Sequence, residues 1–585
     1  MREAALKLNG AVGPLLLGLV LGLWGIGWNL PSHERVARVL PPGLDGPELH
    51  AALAGAWESL HDKLGRDLIL SELAYSSGFD GQADVDAGWR ELPGQLLSPA
   101  RSFHLRSGHE DETDILVSVG RLRPHRLKFN PGIYFYGGTY MYLLGAWMAA
   151  STLWTPTTLR PSVAYYLENA DKAAWLFLSG RLLSVAVYLA GVFLLWRIGT
   201  RFFGPKAGTL AALAYAAAPG IVIQAHYMKP HILGSLLILA AFERLCRLLD
   251  DGNPKHWRWA GAEIGLAAGA AIYQGWAAFL LPAAWLLRKR LGGDPFREFR
   301  GLIESLALAA AAYAASNFFL FLEPTISWEA MRRVGAHGGL RLNQIWDFFW
   351  VGLPKALTLP LALCVAAGLV RPKNLQSPHS KLLVAAFLGF IGSAWMFQSA
   401  TMLDSIRQFP GAPYACLLAG LILADAFDKA ASGPGSLAAW AAAILAIGTP
   451  ALSSAVLDHN LQLSGTRRST HRYAGAWIEA NIPPGRDIAM LRLPQPSNSA
   501  HFRWDLYKLR FYEPRALSAA AAEGKAPEHL ILSYPTYNDR GRIGQVLDAH
   551  YRLLKAFPPM SFAGISPPVG ESYANPLIEV YRRTD

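Results

Sequence analysis

Cysteine is scarce in this chain. The three cysteines, Cys246, Cys364 and Cys416, all lie in or beside apolar runs, which excludes a disulfide framework and leaves no cysteine zinc pattern. Charge is scarce as well. Only 17% of residues are charged, against about a quarter in an ordinary soluble domain. The deficit is concentrated: residues 8–32, 207–225, 382–403 and 437–456 hold no Asp, Glu, Lys or Arg. Each run is about the length that crosses a ~30 Å hydrocarbon core as a helix. Also missing are a phosphate-cradling glycine loop, a tandem repeat and any low-complexity tract beyond alanine-rich helix, and the tail from about 466 carries neither a metal motif nor a catalytic-triad signature. The first apolar run is too long for a cleaved signal peptide and lacks a small-residue cleavage site, so it reads as a retained helix.

What is present is therefore a polytopic membrane protein. Its net charge of +11 would suit nucleic acid, but the basic residues are distributed otherwise. Loops 197–206, 244–258, 288–300, 371–381 and 428–436 together carry 16 Lys and Arg, and the alternate loops carry 5. The positive-inside rule makes the first set cytoplasmic, and no nucleic-acid partner is expected. Residues 1–456 then form a membrane module with a large first outer loop at 31–132, and 457–585 lies outside the cytoplasm. Spans are expected near 10–30, 175–197, 207–225, 232–249, 302–322, 350–371, 382–400, 410–427 and 437–456. The Gly/Ala-rich stretch 259–287 has basic residues on both flanks, so it reads as two short helices with a tip near Tyr273-Gln274-Gly275. Segment 133–153 is expected to enter only partway. The tail reads as a small α/β domain, with a helix at 474–480 and strands at 488–493, 530–533 and 577–581.

The residues able to do chemistry gather on the outer side. Lys229 and the histidines His226 and His231 sit in a six-residue turn between two spans, suited to an anionic lipid phosphate. Arg407, beside Asp404 at the mouth of a span, suits the same role. Arg181 lies inside an apolar run, where a charge needs a partner. Glu34 follows the first span and is a candidate second acid, or else an interfacial residue paired with Arg35. Loop 323–349, opening on Glu323, has glycines that permit lid movement. Most prominent is the acidic cluster Asp111-Glu112-Thr113-Asp114, followed by Pro131-Gly132-Ile133-Tyr134-Phe135-Tyr136.

In these segments the chain resembles GT-C glycosyltransferases, close to glycosyltransferase family 39. The resemblance rests on the pair Asp111-Glu112 in the first outer loop, on Asn130 to Tyr136, on Arg181-Leu182-Leu183-Ser184 leading to Arg201-Phe202-Phe203-Gly204 and Ala218-Pro219, and on Arg407-Gln408-Phe409-Pro410 before a soluble tail. It covers roughly residues 105–480. The chain departs from the family at 35–105, which is longer, at His231, where members often carry aspartate, and at Gln274, where a basic residue is usual.

The resemblance implies a mostly α fold: a polytopic transmembrane bundle of GT-C type with about 11–12 membrane segments and a small extracytoplasmic α/β C-terminal domain. It implies sugar transfer from a polyprenyl-phosphate carrier to an acceptor hydroxyl at the outer face of the cell inner membrane. The acceptor is a glycan, lipid or protein. Asp111 or Glu112 would be the base, with Glu34 a further candidate. Arg407, Lys229, His226, His231 and Arg181 would hold the donor phosphate. Tyr134, Tyr136 and Glu323 would serve the acceptor or a lid. No cofactor is required and no metal ligands are assigned, although Asp111, Glu112 and Asp114 have the chemistry for a divalent cation. Two other classes compete: a lipid or glycan transporter or flippase, and a non-catalytic envelope assembly factor.

Overall fold

A computed structural model describes residues 2–63, 83–85, 94–133, 136–322, 324–325, 328, 346, 348–371, 376–397, 410–430, 436–491, 494–512, 514–534, 539–567 and 574–584. These residues are mostly helical, with one small sheet, and form two compact units. The first comprises Met1–Trp24, Pro124–Gly145 and Arg181–Ala455, and the second Gly25–Arg123, Ala146–Gly180 and Val456–Asp585.

Prolines start many helices of the first unit. Pro205, Pro219, Pro254 and Pro295 all stand in first turns, where a fixed φ and a missing N–H cost nothing. Asn253 and Asp294 cap two of these helices, accepting from the Lys255 and Arg297 amides, which satisfies donors the helix cannot. The run at 207–225 is broken: Pro205–Ala217 and Pro219–Ala225 meet at 62°, because Pro219 holds Ala218 in extended backbone. Likewise Phe349–Leu357 and Leu359–Val370 are bent by 117°.

Among the described residues, Ala170–Phe203 and Leu437–Leu463 are long and apolar enough to cross a membrane, and there are up to 4 such spans if each bent pair is one. The helix Gly138–Ser151 has 14 residues, about 21 Å of rise, which is short of a full crossing. The stretch 259–287 breaks where the sequence indicates. The helix Pro254–Ala270 gives way to a tight 3-10 segment, Ile272–Phe279, and then to the helix Leu280–Arg290.

The helices Pro254–Ala270 and Pro295–Ser316 touch backbone to backbone along a stripe of small residues. A Cβ on Gly261 would lie 2.2 Å from the Ser305 carbonyl oxygen, and one on Gly265 equally close to that of Ala309. Spacing glycine every fourth residue puts the bare positions on one face. Gly265→Val therefore forces the pair apart. It is expected to destabilise by about 1–3 kcal/mol, read as a lower unfolding midpoint in detergent. Gly13→Ala, which meets nothing within 4 Å, is the control expected to leave the midpoint in place.

The second unit is built on a six-stranded sheet. Its strands are β1 (Ala83–Val85), β2 (Asp487–Met490), β3 (Lys508–Phe511), β4 (His529–Tyr534), β5 (Tyr551–Phe557) and β6 (Leu577–Arg583), in the order β1-β3-β2-β4-β6-β5. β3, β2 and β4 run parallel, and the outer strands are antiparallel to their neighbours. Alternation sorts the side chains onto two faces. Ile488, Met490, Leu509, Phe511, Ile531, Ile578 and Val580 enter one core. Ala489, Leu491, Leu530, Leu532 and Tyr581 enter the other, with Leu517 and Ile543.

The first core also takes Val36, Val39, Leu40, Leu49, Leu53 and Phe103. The outer loop and the tail, which read from the sequence as separate regions, thus share one apolar interior and one sheet. The expected helix is Thr470–Asn481, and the three expected strands are β2, β4 and β6. β3 and β5 escape a sequence reading because both carry charges. β5 is an edge strand with Arg552 and Lys555 exposed, a usual guard against edge pairing.

Candidate functional site

In the first unit the turn 226–231 brings together several of the residues predicted from the sequence. It joins the helix Pro219–Ala225 to the helix His231–Asp251. Lys229 and His231 are both buried. The Lys229 ammonium stands 5.9 Å from the centre of the Tyr227 ring, within cation–π range. Ser184 Oγ donates to the Tyr227 carbonyl at 2.7 Å, which ties this turn to the helix carrying Arg181. Arg181 is fully buried one turn before Ser184. Two cations thus lie out of water on adjoining segments, where charge costs most unless matched.

A hydrogen-bonded chain runs beside them. Tyr136 OH lies 3.5 Å from His231 Nε2, and His231 Nδ1 lies 2.5 Å from Tyr273 OH. Gln274 Nε2 donates to the His231 carbonyl at 3.0 Å and to Tyr273 OH at 3.2 Å. The backbone sets this up: Tyr136 bridges to Ala271 and the Gly137 amide donates to Ala270. The two positions that depart from the family pattern, His231 and Gln274, are therefore in contact with each other. Neither sequence spacing nor periodicity pointed to Tyr273 as their partner.

Gly234 makes room for Gln274, since a Cβ there would fall 1.2 Å from Gln274 Oε1. Gly234→Ala is expected to expel the amide, costing about 2 kcal/mol or more. Adding Gln274→Ala restores the space and should recover part of the loss, so thermal unfolding of the two single variants and the double variant gives the coupling.

His226 is placed differently from its predicted role. Its Nδ1 lies 2.9 Å from the Val222 carbonyl and its Nε2 2.9 Å from that of Trp24. With both ring nitrogens on backbone oxygens the imidazole clamps the chain and has none left for a phosphate. A separate set of ion pairs lies further along the same helix. Glu243, twelve residues past His231 and so roughly 18 Å away, takes Arg197 and Arg247. Arg244 of the same helix pairs with Glu263, and Arg288 pairs with Glu298 on neighbouring helices.

The acidic pair belongs to the second unit. Glu110–Arg121 is helical, and the His109 side chain accepts from the Asp111 amide. Carboxylates in a first turn are favoured by the helix dipole. Glu112 is fully buried and receives the Ser107 hydroxyl at 2.5 Å, whereas Asp111 is only half-buried. Glu34 is 63% exposed and pairs with Arg38 at 3.6 Å and Arg472 at 3.3 Å. It does not pair with Arg35. That guanidinium is buried and spends its donors on the carbonyls of Phe103, Arg106, Asn29 and Leu30, which makes it a strut between chain segments. Tyr134, Glu323, Asp404 and Arg407 lie outside the described residues.

Among the described residues, the acidic cluster at 111–114 does not form a convergent set of metal ligands. Asp45, His50 and His104 do, and no sequence pattern pointed to them because the third residue is so distant in the chain.

Residues 176–317 match the family model described as dolichyl-phosphate-mannose-protein mannosyltransferase. This segment contains Arg181, His226, Lys229, His231, Tyr273 and Gln274. The match agrees with the GT-C resemblance and supports a glycosyltransferase. No curated protein matches the chain. Similar solved structures include the oligosaccharyltransferase of Archaeoglobus fulgidus in complex with Zn and sulfate, at 12% identity over 75% of this chain and 68% of that one, with a TM-score of 0.43. The same organism's AglB with an inhibitory peptide and a dolichol-phosphate aligns at 11% identity, 75% and 69% coverage and a TM-score of 0.44. ArnT from Cupriavidus metallidurans bound to undecaprenyl phosphate aligns at 12% identity, 80% and 93% coverage and a TM-score of 0.40.

Proposed function

We propose that this chain is an integral-membrane glycosyltransferase that moves a hexosyl or pentosyl group from a polyprenyl-phosphate carrier to an acceptor hydroxyl. The site faces the outer side of the cell inner membrane. The observation that carries the reading is the buried set of Arg181, Lys229 and His231 within the segment that matches the mannosyltransferase model. A departing lipid phosphate needs positive charge held ready in a dry site, and Lys229 and Arg181 supply it. His231, held by Tyr273 and Tyr136, fixes the end of the turn that carries Lys229.

The acceptor oxygen attacks the anomeric carbon, the bond from that carbon to the phosphate oxygen breaks, and the acceptor proton passes to a carboxylate. Asp111 is assigned as that base because it is the more accessible of the pair. Glu112, held by Ser107, orients the helix end. Direct displacement inverts the sugar carbon, and no nucleotide is involved.

The test is a transfer assay on the purified chain in nanodiscs with synthetic polyprenyl-phosphate sugars, paired with mass spectrometry of envelope glycans and glycoproteins with and without the protein. Release of polyprenyl phosphate with a glycosylated product supports the reading. Movement of lipid-linked sugar across the bilayer with no new glycosidic bond replaces it with transport.

A further inference from the structure

Asp45, His50 and His104 lie in the second unit, far from one another in sequence. Asp45 precedes the helix Pro47–Lys63, His50 is in its first turn, and His104 is near the end of Gly94–Leu105. One ligand atom from each falls within 4.8 Å of the others. Asp45 Oδ1 is 2.7 Å from His50 Nε2 and 2.8 Å from His104 Nε2. Asp45 Oδ2 is 3.2 Å from a third imidazole, His33 Nδ1. His104 is fully buried and His50 nearly so.

Tautomers decide what this arrangement means. His104 Nδ1 lies 2.8 Å from the Ala100 carbonyl, which only accepts, so Nδ1 carries the proton and Nε2 presents a lone pair. His33 Nε2 lies 3.3 Å from the Glu168 carbonyl, so by the same argument its Nδ1 presents a lone pair. Both lone pairs point at the oxygens of one carboxylate. Like facing like at these distances is repulsive unless positive charge sits between them. An imidazolium at the buried His104 would be a costly answer, and a single cation serves the three groups whose ligand atoms converge, Asp45, His50 and His104. The second contact of His104 is also the arrangement by which proteins orient a metal-binding imidazole.

We propose that Asp45, His50 and His104 bind a divalent transition metal of the zinc class. Imidazole nitrogens with one carboxylate match that class in donor type and in number, whereas calcium and magnesium take oxygen donors. The role is structural. The cation joins the segments at 33–50 and 94–105, which contribute Val36, Leu40, Leu49, Ala100 and Phe103 to the core beneath the sheet. It is independent of the transfer reaction.

The test uses the full chain without a histidine tag, purified in detergent without chelator. Metal content is expected near one zinc per chain by mass spectrometry. Substituted cobalt should give the intense visible absorption of a four-coordinate site. His33→Ala, which removes an exposed contact of the ligand Asp45, should keep the fold and weaken zinc binding about tenfold or more. Asp45→Asn combined with His104→Gln should abolish binding. Chelation should lower the unfolding midpoint of the unsubstituted chain and leave that double variant's midpoint unmoved. Zinc below about a tenth of an equivalent in folded protein after incubation with excess zinc, or undiminished binding in the double variant, overturns the proposal.

Discussion

Asp111→Asn is expected to lower sugar transfer by about 10²–10⁴-fold, the usual contribution of a positioned general base. Asparagine keeps the shape and the polarity of the side chain in the first turn of the helix Glu110–Arg121. What it removes is the ability to take a proton. The lost interaction with the helix dipole is worth only about 0.3–1 kcal/mol, so the folded state should survive. Donor binding should hold, because the carboxylate acts on the acceptor side, and the loss should appear in kcat.

Glu112→Gln makes the informative comparison. Glu112 is fully buried and accepts from Ser107, so its change should show in stability, at about 1–3 kcal/mol, more than in chemistry. Full turnover in the Asp111 variant with none in a folded Glu112 variant would transfer the role of base to Glu112. Full turnover in both would end the carboxylate assignment.

Lys229→Met is the second large effect. Methionine preserves most of the apolar stem and removes the charge. A hydrogen bond to a charged group is worth about 1.5–3 kcal/mol, so donor affinity or turnover should fall about 10- to 150-fold. The division between them is diagnostic. A rise in KM alone would mean that Lys229 holds the phosphate equally before and during reaction. A fall in kcat would mean that it acts on the charge developing as the phosphate departs. Unchanged kcat and KM in the folded variant would remove Lys229 from the donor site. Arg181→Met, buried on the adjoining helix, should act in the same direction.

The sequence made Lys229 and His231 legible because they fall in a six-residue turn between two long apolar runs, where any polar side chain is conspicuous. Arg181 stood out as a lone charge in such a run. The role of His226 was not legible, because its partners are backbone carbonyls, and every residue has one. The chain through Tyr136, His231, Tyr273 and Gln274 was equally hidden, since it joins three segments whose approach depends on how helices pack.

By itself the sequence determined that this chain is rich in long apolar helix, that the stretch 259–287 breaks near Tyr273, and that three tail segments alternate as strands, whereas the bends in the expected single spans 207–225 and 350–371 came from the structure. These properties follow from hydropathy, proline and side-chain period, all of which act over a few neighbouring residues. Only the tertiary structure decided that residues 36–103 and the tail fill one core, that Arg35 serves carbonyls rather than Glu34, and that Asp45 meets three histidines. Each of these depends on contacts between residues distant in the chain. Such contacts are fixed by how apolar faces are buried together, which no local pattern encodes.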